Sequence, residues 1–92
     1  MKLSYSPRAR DDLDAIHDFI ATRNPSGAVD VLAAIYKSVE LNLAQPLAAP
    51  AADRQNLRVK LVAGYPYKIF YRATDGMVEI VHVRHAARRS LA

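Results

Sequence analysis

Apolar positions follow two rhythms along this chain. From Ala9 to Leu43 they recur every three or four residues; from Leu57 to Arg84 they alternate or crowd into short runs. The first rhythm belongs to helices with one buried side and the second to strands. Before both, Met1 to Tyr5 alternates Lys2 and Ser4 with Leu3 and Tyr5, a short strand at a sheet edge, stopped by Pro7. Ser6-Pro7 starts a helix: the serine oxygen accepts from a free first-turn N–H, and a proline at the first helical position loses no hydrogen bond. Asp11 and Asp12 sit near the positive end of that helix dipole. Ala9, Leu13, Ile16 and Ile20 form its stripe with Phe19 alongside, and Arg10, Asp14, His17 or its neighbour Asp18, and Ala21 lie opposite.

Asn24-Pro25 repeats the device. The first helix ends by Arg23, because a residue before proline avoids helical geometry. Asn24 caps a second helix with Ala28, Leu32, Ile35, Val39 and Leu43 in its stripe, widened by Val31, Ala34 and Leu41. So wide a face implies burial against both the sheet and the first helix, and the short connection implies an antiparallel hairpin. Pro46 ends this helix. Pro46 to Asp53 is a Pro/Ala-rich connector.

Three strands follow. Leu57 to Val62 places Leu57, Val59 and Leu61 on one face and Arg58 and Lys60 on the other. Ala63 to Pro66 makes a turn, Tyr67 to Arg72 is the next strand, Asp75-Gly76 is a short hairpin signal, and Val78 to Arg84 is the last strand. A two-residue turn predicts Arg72 opposite Glu79, Phe70 opposite Val81 and Lys68 opposite Val83. The Arg72–Glu79 pair supports that register. The expected architecture is α+β: an N-terminal strand, an antiparallel helical hairpin, then a three-stranded antiparallel meander, all in one domain over residues 1–92. The helices cover one face of the sheet; the other is expected to stay open and carry the basic side chains.

Composition narrows the function. With 92 residues and 51% hydrophobic content, the chain has material for one core without metal or disulfide support. It has no cysteine, which excludes a disulfide framework and a thiolate metal site. No apolar run reaches the eighteen or so residues of a membrane span, and the N-terminus lacks the apolar core of a signal peptide. A cytoplasmic location is expected. Charge is unevenly spread. Residues 1–50 hold five basic and six acidic side chains, whereas residues 51–92 hold eight and three. This asymmetry suggests an acidic partner or a nucleic acid at the C-terminal half; a solvated basic face is the plainer alternative.

No metal signature or phosphate-binding glycine loop is present, and no cofactor is expected. What remains is a basic constellation: Arg58 and Lys60 on one strand, Lys68 and Arg72 on its neighbour, and Arg84, His85, Arg88 and Arg89 at and after the last strand. Such a group holds phosphates or carboxylates and can stabilise the transition state of RNA cleavage. Cleavage also needs a general acid and base. His82 and His85 are the candidates that titrate near neutral pH, though His82, mid-strand among apolar residues, is better explained structurally. Tyr65, Tyr67 and Tyr71 follow strand propensity rather than marking a stacking platform.

Two stretches, LSYSPRARDDLDAIHDFIATRNPSGAVDVLAAI and YPYKIFYRATDGMVEIVHVRHAARR, together resemble the ParE branch of the RelE/ParE toxin superfamily of bacterial type II toxin–antitoxin systems. The resemblance rests on the opening strand, the Ser-Pro helix start, Asp-Leu-x-x-Ile, the Asn-Pro junction, the Pro-Tyr-Lys-Ile-x-Tyr strand and the His-Ala-x-Arg ending. It implies a toxin neutralised by a cognate antitoxin. ParE-like members are associated with inhibition of DNA gyrase, and RelE-like members with ribosome-dependent cleavage of mRNA. Sequence-specific DNA binding is expected of the antitoxin rather than of this chain. For the nuclease alternative, the resemblance maps Arg58, Lys60, Lys68 and Arg88 onto the basic site, with His85 as candidate proton donor. RelE-like toxins often carry a C-terminal tyrosine. Here no tyrosine follows Tyr71, which favours the ParE-like inhibitor. On that reading Arg58, Lys60, Lys68, Arg72, Arg84, His85, Arg88 and Arg89 are binding rather than catalytic residues. A third alternative is a non-toxic relic that only binds its antitoxin.

Overall fold

Residues 2–44, 57–74 and 76–86 are described by the computed structural model. The elements run β1 (Lys2–Tyr5), α1 (Pro7–Ala21), α2 (Pro25–Ala44), β2 (Arg58–Leu61), β3 (Tyr67–Thr74) and β4 (Met77–His85). Both expected caps are present. Ser6 Oγ accepts from the N–H of Ala9 at 3.0 Å, and Asn24 Oδ1 accepts from that of Gly27 at 3.0 Å. Each satisfies a donor the first helical turn cannot pair internally. The connector 46–53, Asp75, Arg88 and Arg89 lie outside the described residues.

The sheet order is β1-β4-β3-β2. β2, β3 and β4 form the expected antiparallel meander, and β1 takes an edge by pairing parallel with β4. α1 lies over β4 and β1, α2 lies over β3 and β2, and the helices pack on each other. Paired residues share a face, and successive residues alternate between faces. Tyr67, Ile69 and Tyr71 of β3, with Val78, Ile80 and Val83 of β4, therefore form the inner face and join Ala9, Leu13, Val31, Ile35 and Val39 in the core. Lys68, Phe70 and Arg72 form the outer face.

Two expected core residues are not in the core: Phe19 is 65% exposed and Leu41 59% exposed. Phe19 lies under the Arg23 guanidinium at 5.5 Å, an exposed cation–π contact at the end of α1.

The expected β3–β4 register holds only near the turn. Thr74 pairs with Met77 and Arg72 with Glu79, but beyond a shift between Phe70 and Tyr71 the partners become Phe70–His82 and Lys68–Arg84. Tyr71 still faces Ile80, so Val81 is the extra residue of a β-bulge. The unshifted register would have turned Val83 outward and Arg84 into the core. The bulge accommodates Val81 and keeps Val83, 3% exposed, on the helix side.

Candidate functional site

β1 stops at Tyr5, opposite Ile80, so among the described residues no strand covers the outer edge of β4 beyond that point. Helix α1 takes over. The Ser6 N–H donates to the Ile80 carbonyl at 2.9 Å, and the Ser6 hydroxyl donates to the Val81 carbonyl at 2.8 Å. Nearly two turns further along, Asp12 Oδ2 accepts from the Val83 N–H at 3.0 Å. Its other oxygen accepts from Arg8 Nε at 3.3 Å. The N-cap of α1 and one of its side chains thus satisfy backbone groups on the edge of β4 that lie past the end of β1.

The bulge decides what each face presents. Lys68, Arg72 and Arg84 lie on the outer face around Phe70, with Glu79 opposite Arg72 and His82 opposite Phe70. Arg72 Nη1 stands 3.8 Å from Glu79 Oε1. Lys68 faces Arg84 directly, and among the described residues neither has a carboxylate partner. Like charges directly opposed across a ladder destabilise it.

The remaining basic candidates are elsewhere. Arg58 pairs with Tyr71 and Lys60 with Ile69, which places both on the helix-side face. Val59 and Leu61, opposite Phe70 and Lys68, hold the outer positions. His85, opposite Tyr67, is also on the helix side, its ring meeting the tyrosine edge to face at 5.3 Å. The expected single basic surface is therefore divided. The alternation along β2 is as expected, but its partner strand turns Arg58 and Lys60 toward the helices.

His82 is mostly buried beside Phe70, edge to face at 6.4 Å. Its Nδ1 is 3.8 Å from Asp12 Oδ2, too far for a hydrogen bond, and among the described residues Nδ1 has no other partner. Burial lowers its pKa, Arg8, Arg84 and Arg72 add to that, and Asp12 opposes it. The net effect favours the neutral imidazole. Ser6 and Asp12 are the residues that sequence reasoning missed in this role. The first was legible only as a cap and the second only as a charge near a helix dipole. A cleft of about 320 Å³ opens between α1 and the end of β4, where Arg8, Arg84 and His85 stand beside Phe19, Ile16 and Tyr67.

Known proteins match this architecture. Residues 3–90 fit the family model described as the ParE toxin of the type II toxin–antitoxin system parDE. The chain belongs to the ParE toxin family. The toxin is 39% identical over 85 residues to Toxin RelE2 of Caulobacter vibrioides, covering 88% of this chain and 90% of that one. Its fold matches the structure titled "Chromosomal ParDE TA system from P. aeruginosa" with a TM-score of 0.81 at 22% identity, over 92% of this chain and 95% of that one. It is therefore a toxin of a type II toxin–antitoxin system, and a cognate antitoxin is the partner that membership implies. Among the described residues no helix is long and apolar enough to cross a membrane.

Proposed function

We propose that this toxin acts by binding and inhibiting DNA gyrase in the cytoplasm, breaking no bond in its target, and that its outer basic face makes the contact. One observation carries the non-catalytic part: the groups that RNA cleavage would need together are on opposite sides of the sheet. Lys60 and His85 lie on the helix side and Lys68 on the other. Transition-state stabilisation needs donors converging on one developing charge, and proton transfer needs an acid or base within hydrogen-bond reach of it. Gyrase as the target follows from the ParE family resemblance. The outer face suits an acidic surface, because an anionic group over Lys68 and Arg84 relieves their mutual repulsion. Residues 1–92 are read as one toxin domain, and Arg88 and Arg89 as an extension of the basic surface.

The test is a supercoiling assay with purified toxin. Inhibition that is lost on Lys68→Glu or Arg84→Glu supports the proposal; full supercoiling at excess toxin removes it. The mRNA endonuclease remains a second reading, favoured by the 39% identity to a protein named RelE2. Toeprinting on translating ribosomes decides it. Codon-site cuts abolished by Lys60→Ala or His85→Ala would establish cleavage, and intact message would exclude it.

A further inference from the structure

We propose that Ser6 and Asp12 are positioning residues for the outer basic face: from helix α1 they hold the Val81 bulge and so aim Arg84 beside Lys68. The inference rests on the reading of that face as the target contact. Its geometry stands independently. Past Ile80 the edge of β4 has no strand beside it among the described residues, yet the Val81 carbonyl and the Val83 N–H each have a side-chain partner, at 2.8 and 3.0 Å. Both partners lie at the start of one helix, Ser6 as its N-cap and Asp12 in its second turn, and both contacts span more than seventy positions of sequence. A bulge re-aims the side chains that follow it. The side chains that follow this one are His82 and Arg84, both on the outer face.

Ser6 carries two roles that can be separated. Its oxygen accepts from Ala9 as a helix cap, and its hydroxyl proton goes to Val81. An aspartate keeps the first and lacks the proton for the second. Asp12 can be separated in the same way. Asparagine keeps an acceptor for Val83 and loses only the charge that faces Arg8 and His82.

The experiment uses the full chain, whose lack of cysteine makes an engineered pair its only thiols. Lys68→Cys with Arg84→Cys reports the bulged register, because directly opposed residues lie within disulfide reach. Asp12→Ala should speed exchange of the Val83 amide about tenfold, slow cross-strand disulfide formation about tenfold, and leave the Ile69 amide unchanged. Without the engineered cysteines, it should weaken gyrase inhibition about tenfold as well. Asp12→Asn should return all three readouts to within about threefold of the parent. Ser6→Asp should keep helicity and still slow the disulfide. A general loss of folding would speed the Ile69 amide equally. If Asp12→Ala does not fold, Asp12→Asn and Ser6→Asp still give the comparison. A Val83 amide and a disulfide rate unmoved by Asp12→Ala would overturn the proposal, as would an asparagine variant no better than alanine. A parent toxin that leaves supercoiling untouched would instead end the gyrase reading, with the exchange and disulfide results still deciding what holds the bulge.

Discussion

The two faces of this sheet are built from the same four strands and obey different rules. The inner face is apolar at nearly every central position, and Tyr71, Val78 and Ile80 have no exposed surface. Its composition follows from burial. The outer face has one mostly buried aromatic, Phe70 at 5% exposure, ringed by Lys68, Arg72, His82 and Arg84. Nothing about folding requires two cations to face each other there. A position that costs the fold something and is still basic is best explained by what it contacts. That is how the outer face differs from Arg58 and Lys60, which sit over the apolar side at the β2 edge.

The contrast can be broken at either face. The largest effect is expected inside: Ile80→Ala should cost about 2–5 kcal/mol in urea denaturation, from lost burial plus the cavity left behind. A loss under about 1 kcal/mol would mean the core is less tightly packed than its burial indicates. Lys68→Glu should do the reverse. It converts the Lys68–Arg84 repulsion to attraction, so stability should hold or rise by a few tenths of a kcal/mol, while gyrase inhibition falls about tenfold. Undiminished potency of the Lys68→Glu toxin would separate the basic face from function.

A smaller effect concerns pH. The folded-state pKa of His82 lies below its ordinary value of 6.5. As pH falls through that value the unfolded chain takes up a proton before the folded one does. Stability present above pH 6.5 is therefore lost progressively, down to the folded pKa. His82→Gln should flatten this part of a melting-temperature profile between neutral and mildly acidic pH; an unchanged slope would assign it to another group. The smallest effect belongs to the half-exposed Arg72–Glu79 pair. Arg72→Ala should cost no more than about 1 kcal/mol, with the difference shrinking in salt.

Local chemistry made much of this fold legible. Ser6-Pro7 and Asn24-Pro25 announce both helix starts, and the two-residue hairpin fixes the pairing of Arg72 with Glu79. Farther from the turn the signal fails. Ile80-Val81 followed by Val83 is apolar without a period, so a bulge and a regular strand read alike. What distinguishes them is a serine and an aspartate more than seventy positions away. The face of β2 was hidden for a related reason. Alternation separates Arg58 and Lys60 from Val59 and Leu61, but only the pairing with β3 says which set meets the helices. Phe19 shows a third limit: a helical stripe marks positions that can be buried, and the partner element decides how far burial extends.

The parallel pairing of β1 with β4 has a consequence for synthesis. Lys2 leaves the ribosome early, but its partner Met77 is made seventy-five residues later. At about 5–20 residues per second that interval is roughly 4–15 s. Throughout it the first strand has no neighbour, Ser6 and Asp12 have no bulge to hold, and Lys68 has no Arg84 opposite. Until β4 emerges the outer face is incomplete, because His82 and Arg84, which stand opposite Phe70 and Lys68, are made after the whole of β3.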